Sequence, residues 1–140
     1  MQDNVCTLVL GDESDVGAAR RRARNLAEAQ GLSPNQVEAL ATAISEIARN
    51  VIVHAGRGEL LLRLERSGDR RAIVAVASDD GPGIESLDDA MRDGYSTRNS
   101  LGLGLPSARR LVDEFEIRSA PGQGTIVVLK MWATHSPTQP

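Results

Sequence analysis

Residues 45–56 read SEIARNVIVHAG, and this stretch decides the fold. Glu46, Asn50 and His54 recur every four residues, so they lie on neighbouring turns of one helix face. Apolar residues form a second stripe at helical spacing, namely Val37, Leu40, Ala41, Ile44, Ile47, Ala48 and Val51. The pattern predicts one helix from about Pro34 to His54 that packs its apolar stripe on a sheet and carries a polar row beside it.

The patterns on either side of this helix predict alternating strands and helices. Asp12 to Ser14 supply the chemistry of a helix start, and Gly31 ends that helix after Gln30. The other predicted elements are strands at Val5–Leu10, Glu59–Arg66, Arg71–Ala77, Glu116–Ser119 and Thr125–Trp132 and a helix at Leu105–Phe115. The order β-α-α-β-β-α-β-β predicts an α/β (α+β) two-layer sandwich, with a mixed β-sheet covered on one face by about three helices.

Chain length and composition predict one domain with an aliphatic core. A chain of 140 residues is within the usual size of a single domain. Hydrophobic residues make up 41% of it but aromatic residues only 2%, so Leu, Val, Ile and Ala must fill the core. We expect a single domain over residues 1–133 and a disordered C-terminal tail over residues 134–140, which contain two prolines.

Charge and hydropathy argue against nucleic-acid and membrane partners. The formal net charge is −3, and the 16 basic residues form no continuous basic face. No run approaches the roughly 18 apolar residues that a membrane span needs. The single cysteine, Cys6, can form no internal disulfide. These features favour a cytoplasmic protein with neither nucleic acid nor membrane as partner.

One local excess of charge lies at Arg20 to Arg24, where four arginines fall within five residues of a predicted helix. Such a run usually keeps a helix surface in water, but it can also dock an acidic protein. The sequence favours the solvated surface and leaves the docking patch open.

Polar residues and glycines form three clusters along the chain. The first lies on the long helix, the second follows a strand at Asp79, and the third opens the last helix. On the long helix, Glu46 can accept a proton and the amide oxygen of Asn50 can ligate a hard cation. Asp79 follows a strand and precedes Gly81 and Gly83, so a carboxylate lies beside backbone that a ligand can approach closely. Taken singly, these clusters also read as a solvated helix face and an ordinary Asp-Gly-Pro turn.

The third cluster, Gly102-Leu103-Gly104-Leu105-Pro106, opens the last helix. Glycines before a helix expose backbone N–H groups at the positive end of its dipole, which suits a phosphate, although a flexible hinge has the same sequence signature. The chain between the second and third clusters is polar and glycine-rich, with one short helical pattern near Leu87 to Met91. A loop of that length is usually functional or disordered.

In this order and spacing, the three clusters resemble the N, G1 and G2 boxes of the GHKL superfamily of ATPases and kinases, from about Asp15 to Trp132. The sequence is most similar to the switch-protein serine/threonine kinases of bacterial partner-switching systems (the RsbT type) and to their sister group, the anti-sigma-factor kinases. The strings that carry the resemblance are SEIARN (45–50), HAG (54–56), SDDGPGI (78–84), DGYST (93–97), GLGLP (102–106), RLVDEF (110–115) and GT (124–125). The resemblance implies the Bergerat ATP-binding fold.

The resemblance also implies a role for each site residue. Glu46 would be the general base, Asn50 the ligand of Mg²⁺, and Asp79 the carboxylate that binds adenine, supported by the Thr125 hydroxyl. The segment from about Glu85 to Leu101 would be a lid over the nucleotide. The residues implied to contact ATP or ADP are Asn50, Asp79, Gly81, Gly83, Ile84, Gly102, Leu103, Gly104, Leu105 and Thr125.

Two further polar side chains of the long helix are expected to have structural roles. His54 lies at the helix end, where a histidine makes a hydrogen bond or meets the helix dipole, so we do not assign it as a phospho-acceptor. Arg49 is expected to form a structural ion pair.

The resemblance implies a protein kinase that transfers a phosphoryl group from Mg-ATP to a sulfate-transporter-and-anti-sigma-antagonist (STAS) domain protein in a stress or sigma-factor switch. The alternative is a nucleotide-gated binding module that sequesters a sigma factor or activates a phosphatase with little catalysis. A third interpretation, a detached histidine-kinase catalytic domain, needs a partner that carries the acceptor histidine. Glu46 separates the first two, because phosphotransfer needs it and docking does not. The oligomeric state stays open.

Overall fold

A computed structural model describes residues 5–84, 91 and 104–134, and these form one sheet and three helices. The strands are β1 (Val5–Leu10), β2 (Gly58–Ser67), β3 (Arg70–Asp79), β4 (Glu114–Ser119) and β5 (Thr125–Trp132). The helices are α1 (Glu13–Ala29), α2 (Pro34–Ala55) and α3 (Leu105–Leu111). The predicted lid segment apart from Met91, the residues Gly102 and Leu103, and the tail after Thr134 lie outside the described residues.

The described strands form one sheet in the order β1-β2-β3-β5-β4, and every neighbouring pair is antiparallel. The predicted two-layer α/β architecture is confirmed, but the expectation of a mixed sheet is wrong for these strands. Two helices connect β1 to β2, so the chain returns antiparallel to β1. Strands β3 and β4 do run in the same direction, but β5 lies between them and pairs antiparallel with both.

Helix α2 lies across the middle of the sheet and contacts both α1 and α3. The predicted apolar stripe is confirmed, since the buried residues of α2 are Val37, Leu40, Ala41, Ala43, Ile44, Ser45, Ile47, Ala48, Asn50 and Val51. The sheet contributes Leu60, Leu62, Ile73, Ala75, Ala77, Val127, Leu129 and Met131 to the same core. The buried hydrophobic residues of the described part are all aliphatic or methionine, which confirms the expected aliphatic core.

Both long helices begin with a capping box that fixes where they start. Asp12 Oδ1 accepts the Ser14 N–H at 2.9 Å, and Asp15 Oδ2 accepts the Asp12 N–H at 3.0 Å. At the start of α2, Ser33 Oγ accepts the Gln36 N–H at 3.2 Å, and Gln36 Oε1 accepts the Ser33 N–H at 3.0 Å. These bonds satisfy N–H groups that lack helical partners, and they set the rotation of the polar row on α2.

The last helix is shorter than predicted. Helix α3 ends at Leu111 rather than at Phe115. The N–H of Asp113 donates to the carbonyl oxygen of Lys130 at 3.0 Å and joins the chain to the sheet at once. Strand β4 therefore starts at Glu114, earlier than predicted. Pairing with β5 outweighs the local helical preference of this stretch.

The outer surface of α1 carries the arginine run. Arg20, Arg21 and Arg22 are exposed, and Arg24 forms an ion pair with Glu38 of α2 at 2.7 Å. This arrangement agrees with a solvated helix surface, and the docking patch stays a prediction. Over the part of the chain that is described, no helix combines the length and the apolar character needed to cross a membrane.

Candidate nucleotide site

Strands β3, β5 and β4 place three polar side chains in one row at the end of the sheet. Asp79 ends β3 and pairs with Thr125, the first residue of β5, and Thr125 pairs in turn with Ser119, the last residue of β4. Residues two apart on a strand share a face, so this row follows the buried pair Ala77 and Val127. The row therefore lies on the face that the helices cover.

Asp79 is half-buried, and a backbone group holds its carboxyl group. The Gly81 N–H donates to Oδ1 at 2.9 Å, and Thr125 pairs with Asp79 across the strands. Burial raises the pKa of the Asp79 carboxyl above its ordinary value of 3.8, and the Gly81 bond and the charge of nearby His54 oppose that rise. Asp79 is thus a fixed carboxylate with capacity left to accept hydrogen bonds from a ligand.

The Thr125 hydroxyl has a partner that the sequence did not suggest. Thr125 is buried, and its Oγ1 lies 2.8 Å from Ser119 Oγ. The expected support of Asp79 by this hydroxyl stays a prediction. Sequence reasoning missed Ser119 altogether, although a hairpin register around the turn 120–124 places it opposite Thr125.

The loop after β3 lies against the turn between β4 and β5. Ile84 is buried, and its N–H donates to Ser119 Oγ at 2.8 Å. Gly83 has φ +78°, and a Cβ there would overlap the carbonyl oxygen of Ala120, so only glycine fits. Gly81 lies against the Ala55 side chain at the end of α2. Of the predicted G1 residues, Gly81 therefore contacts Asp79 and the end of α2, while Gly83 and Ile84 contact the β4–β5 turn.

Asn50 is buried in α2, with 2% of its surface exposed, and its Oδ1 has no hydrogen-bond partner among the described residues. A buried acceptor without a partner is costly unless a ligand satisfies it. An amide oxygen is a ligand that Mg²⁺ accepts, so this residue fits the predicted metal ligand. The described residues contain no cluster of three or more His, Cys, Asp or Glu that could hold a metal.

Glu46 lies one helical turn before Asn50 and meets the start of α3. Gly104 is the N-cap of α3 with φ +71°, and a Cβ at this position would overlap the Glu46 carboxylate. Leu105 and Pro106 follow it and are buried. The structure therefore brings the predicted base beside the described end of the G2 glycines.

His54 and Arg49 complete the polar side of α2. His54 Nε2 is buried and has no hydrogen-bond partner within the described part of the chain, and the charge of His54 lowers the pKa of Asp79. Arg49 pairs with Glu13 of α1 at 3.3 Å, as predicted for a structural ion pair. His54 thus lies on the side of α2 that faces Asp79, while Arg49 ties α2 to α1.

An open cleft of about 510 Å³ adjoins this site. Asp79 at the end of β3 and the two residues that follow it line the cleft, and Ala55 and the stretch 57–59 line it from the other side. Glu46 and Asn50 lie on earlier turns of α2, and the end of this helix, at His54 and Ala55, lies beside Asp79 and Gly81. This arrangement can bind a base that donates hydrogen bonds and, next to Glu46, a group that transfers a proton.

The fold and site define a nucleotide-binding domain of the ATPase type, and comparisons with known proteins agree. The family model of the histidine kinase-like ATPase domain matches residues 10–131. The chain therefore belongs to the histidine kinase-like ATPase family. Its fold is shared by the histidine kinase domain of a blue-light-activated histidine kinase from Erythrobacter litoralis, with a TM-score of 0.50 and 20% identity. That likeness covers 85% of this chain and 59% of the solved one.

Relatives of the chain include a serine/threonine-protein kinase and an anti-sigma factor. The chain is 37% identical to the serine/threonine-protein kinase RsbT of Bacillus subtilis over 94% of its own length and 98% of that protein. It is 31% identical to the anti-sigma F factor of Clostridium beijerinckii over 93% of its length and 95% of that protein. The likeness to RsbT supports a protein kinase activity for this chain.

Proposed function

We propose that this protein is an ATP-dependent serine/threonine kinase that phosphorylates a STAS-domain protein in a bacterial partner-switching pathway. The observation that carries the proposal is the course of α2 in a histidine kinase-like ATPase domain: Glu46 and Asn50 lie on successive turns of this helix, and its end lies against Asp79 and Gly81. The likeness to RsbT supports a serine or threonine acceptor. We assign the activity to a single domain, residues 1–133, acting in the cytoplasm.

In this proposal the adenine end of ATP or ADP lies against Asp79. The carboxylate accepts the exocyclic amine, and Gly81, Gly83 and Ile84 form the wall of the pocket. The Gly81 N–H bond at 2.9 Å fixes the carboxylate before ligand arrives, which lowers the entropic cost of binding.

The phosphate end of the nucleotide lies toward α3. We assign Gly102, Leu103, Gly104 and Leu105 as phosphate-contacting residues, because backbone N–H groups before a helix start bind anions. Asn50 would hold Mg²⁺, which offsets negative charge on the phosphates when bound. Its unpartnered, buried Oδ1 supports this assignment.

Glu46 accepts the proton of the acceptor hydroxyl. Its position one turn before Asn50 and against Gly104 lies where the reacting end of the nucleotide is proposed to be. Phosphoryl transfer depends mainly on positioning and electrostatics, so the rigid, capped α2 is a suitable support for this residue.

Phosphotransfer from γ-labelled Mg-ATP to purified STAS-domain proteins of the same organism tests the proposal. We expect Glu46→Gln to lower the rate by about 100-fold or more while ADP affinity is retained, because general-base catalysis contributes about that factor. Glu38→Gln, a carboxamide change on the exposed side of the same helix, should keep the native rate. Intact transfer by Glu46→Gln would show that Glu46 is not the base.

A second candidate function is a nucleotide-gated binding module that sequesters a sigma factor or activates a phosphatase. The likeness to the anti-sigma F factor of Clostridium beijerinckii favours it. A chain that captures a sigma factor or stimulates a phosphatase equally well as native and as Glu46→Gln, without labelling any STAS protein, would act in this way. Acid-labile label on a partner would instead indicate a histidine acceptor.

A further inference from the structure

Ser119 is the centre of a hydrogen-bond cluster at the end of the sheet. Its Oγ accepts the Ile84 N–H at 2.8 Å and donates to the Gly124 carbonyl oxygen at 2.8 Å. The same Oγ lies 2.8 Å from Thr125 Oγ1. One hydroxyl therefore joins the loop after β3, the β4–β5 turn and the first residue of β5.

The chemistry of these partners fixes the direction of the bond between Ser119 and Thr125. A hydroxyl has one proton and two lone pairs. The carbonyl of Gly124 can only accept, so it takes the Ser119 proton, and the Ile84 N–H can only donate, so it occupies one Ser119 lone pair. The remaining lone pair accepts the Thr125 proton. Thr125 Oγ1 is thus left with lone pairs alone for any further partner.

Thr125 stands between Ser119 and Asp79 in the row across the three strands. An ionised carboxylate also has only lone pairs to offer. Two neighbouring groups at the proposed base pocket therefore accept hydrogen bonds, and neither donates. An amine of a ligand can donate hydrogen bonds to these two acceptors. A carbonyl oxygen at the same position is repelled by them and leaves both acceptors unpaired.

We infer that Ser119 is a positioning residue that sets the base specificity of the site. Ser119 takes the Thr125 proton, so Thr125 and Asp79 become a pair of hydrogen-bond acceptors. This pair selects a 6-amino purine over a 6-oxo purine. The inference rests on the proposed function, since it assigns the selectivity of the same site. Adenine carries an amine donor at position 6, and guanine carries an oxygen acceptor there. Hypoxanthine shares that oxygen without the 2-amino group of guanine.

Calorimetric titration with ADP and with inosine diphosphate (IDP) tests the inference, because the two ligands differ only at position 6 and the adjacent ring nitrogen. We expect the native chain to prefer ADP by about 100-fold, in the range that polar recognition gives. In Ser119→Ala the Thr125 hydroxyl is free to turn and donate to the 6-oxygen, so the preference should fall by about tenfold. A purely structural role would weaken both ligands equally and leave the ratio unchanged.

Two further variants keep the test decisive. Ser119→Thr retains the hydroxyl and suits a strand, so it should retain the native ADP-to-IDP ratio. Thr125→Val removes the hydroxyl at nearly constant shape and should reduce the ratio even if Ser119→Ala does not fold. An unchanged ratio in folded Ser119→Ala, or in folded Thr125→Val, overturns the inference.

Titration of the native chain with ADP and IDP distinguishes a failure of this inference from a failure of the proposed function. Binding of ADP and IDP with equal affinity would overturn the selectivity assigned to Ser119 and leave a nucleotide site intact. Binding of neither ligand to the folded native chain would overturn the nucleotide site and the inference together.

Discussion

At the scale of single residues, the site is built from groups that the fold leaves partly unsatisfied. Asp79 is held beside the end of α2, where burial opposes its ionisation. Asn50 keeps a buried oxygen that has no partner among the described residues. Such groups reduce stability unless a ligand satisfies them, and they are typical of a functional site rather than of a core.

Asp79→Asn should be at least as stable as the native chain at neutral pH. The raised pKa of Asp79 means that the folded state holds this proton more tightly than the unfolded state. Stability therefore falls as pH rises from the ordinary value of 3.8 through the raised pKa, and it stays at the lower level above it. Asparagine has no such penalty and can still accept the Gly81 N–H.

Urea unfolding at a series of pH values from about 4 to about 7 measures this difference. The advantage of Asp79→Asn over the native chain should grow with pH across this range. An exposed change, Asp69→Asn in the β2–β3 turn, should show no such trend. A variant that loses stability relative to the native chain as pH rises would contradict the burial argument.

Asn50→Ala should separate the role of this residue in stability from its role in binding. The change removes a buried acceptor that has no partner, so we expect a loss below about 2 kcal/mol, from the small cavity alone. The effect of Mg²⁺ on ADP affinity should disappear. Titration of ADP with and without Mg²⁺ measures it, and a variant whose ADP affinity still depends on Mg²⁺ like the native chain would exclude Asn50 as the ligand.

Sequence reasoning could find the residues that depend on local spacing. Glu46 and Asn50 lie on one helix face because they are four apart, and no tertiary information is needed for that. The contact between Ser119 and the Thr125 hydroxyl depends on the register of β4 against β5. A single sequence does not give side-chain pairing across strands, and the Ser119 network therefore appears only in the structure.

At the scale of elements, the site is the place where the start of α3 meets the polar side of α2. Gly104 lies in the left-handed region and has no room for a Cβ next to Glu46. The position of α3 and the position of the Glu46 carboxylate therefore depend on each other through Gly104.

Gly104→Ala should impair phosphotransfer beyond its effect on stability. Alanine at φ +71° costs roughly 1 kcal/mol of backbone strain, and its Cβ must displace Glu46 or the start of α3. We expect a rate at least about tenfold below the native one, as a small misplacement of a catalytic group commonly gives.

Gly68→Ala is the matched control for this variant. Gly68 also has a positive φ, +64°, but a Cβ there meets nothing within 4 Å, in a turn far along the chain from Glu46. Both variants carry the strain of alanine at a positive φ, which thermal unfolding measures, and only Gly104→Ala should lose activity. Equal activities in the two variants would show that Gly104 does not position Glu46.

The elements also show where sequence patterns suffice. Strands β1 and β5 and the starts of α1 and α2 agree with prediction, because clear turn and capping residues mark them. The sequence predicts a longer α3, because the residues after Leu111 are compatible with a helix. Only pairing with β5 makes the residues from Glu114 onward a strand. Long-range pairing thus decided what local pattern could not.

At the scale of the whole molecule, one aliphatic core joins α2 to the sheet that carries Asp79. Ile44 is fully buried near the middle of α2. Ile44→Ala should lower the free energy of unfolding by about 2–4 kcal/mol, through lost transfer energy and the cavity left behind. Val53→Ala, on the same helix but 48% exposed, should cost less than about 0.5 kcal/mol. Urea unfolding of both variants measures the difference, and equal losses would contradict the packing described.

The antiparallel sheet order was not available from local patterns either. The sequence predicted the layers, because the alternation of elements and the amphipathic α2 determine which faces meet. The insertion of β5 between β3 and β4 depends on pairing between distant segments, and it brings Asp79, Thr125 and Ser119 side by side. The topology of the whole molecule thus assembles the proposed base pocket.

Calorimetric titration of ADP with Mg²⁺ into the native chain and into Asp79→Asn tests whether Asp79 holds a nucleotide. We expect saturable binding to the native chain and a loss of at least about tenfold in affinity for the variant, which folds but lacks the charged acceptor. Equal affinity in the two proteins, or no binding to the folded native chain, would contradict a nucleotide site at the end of β3.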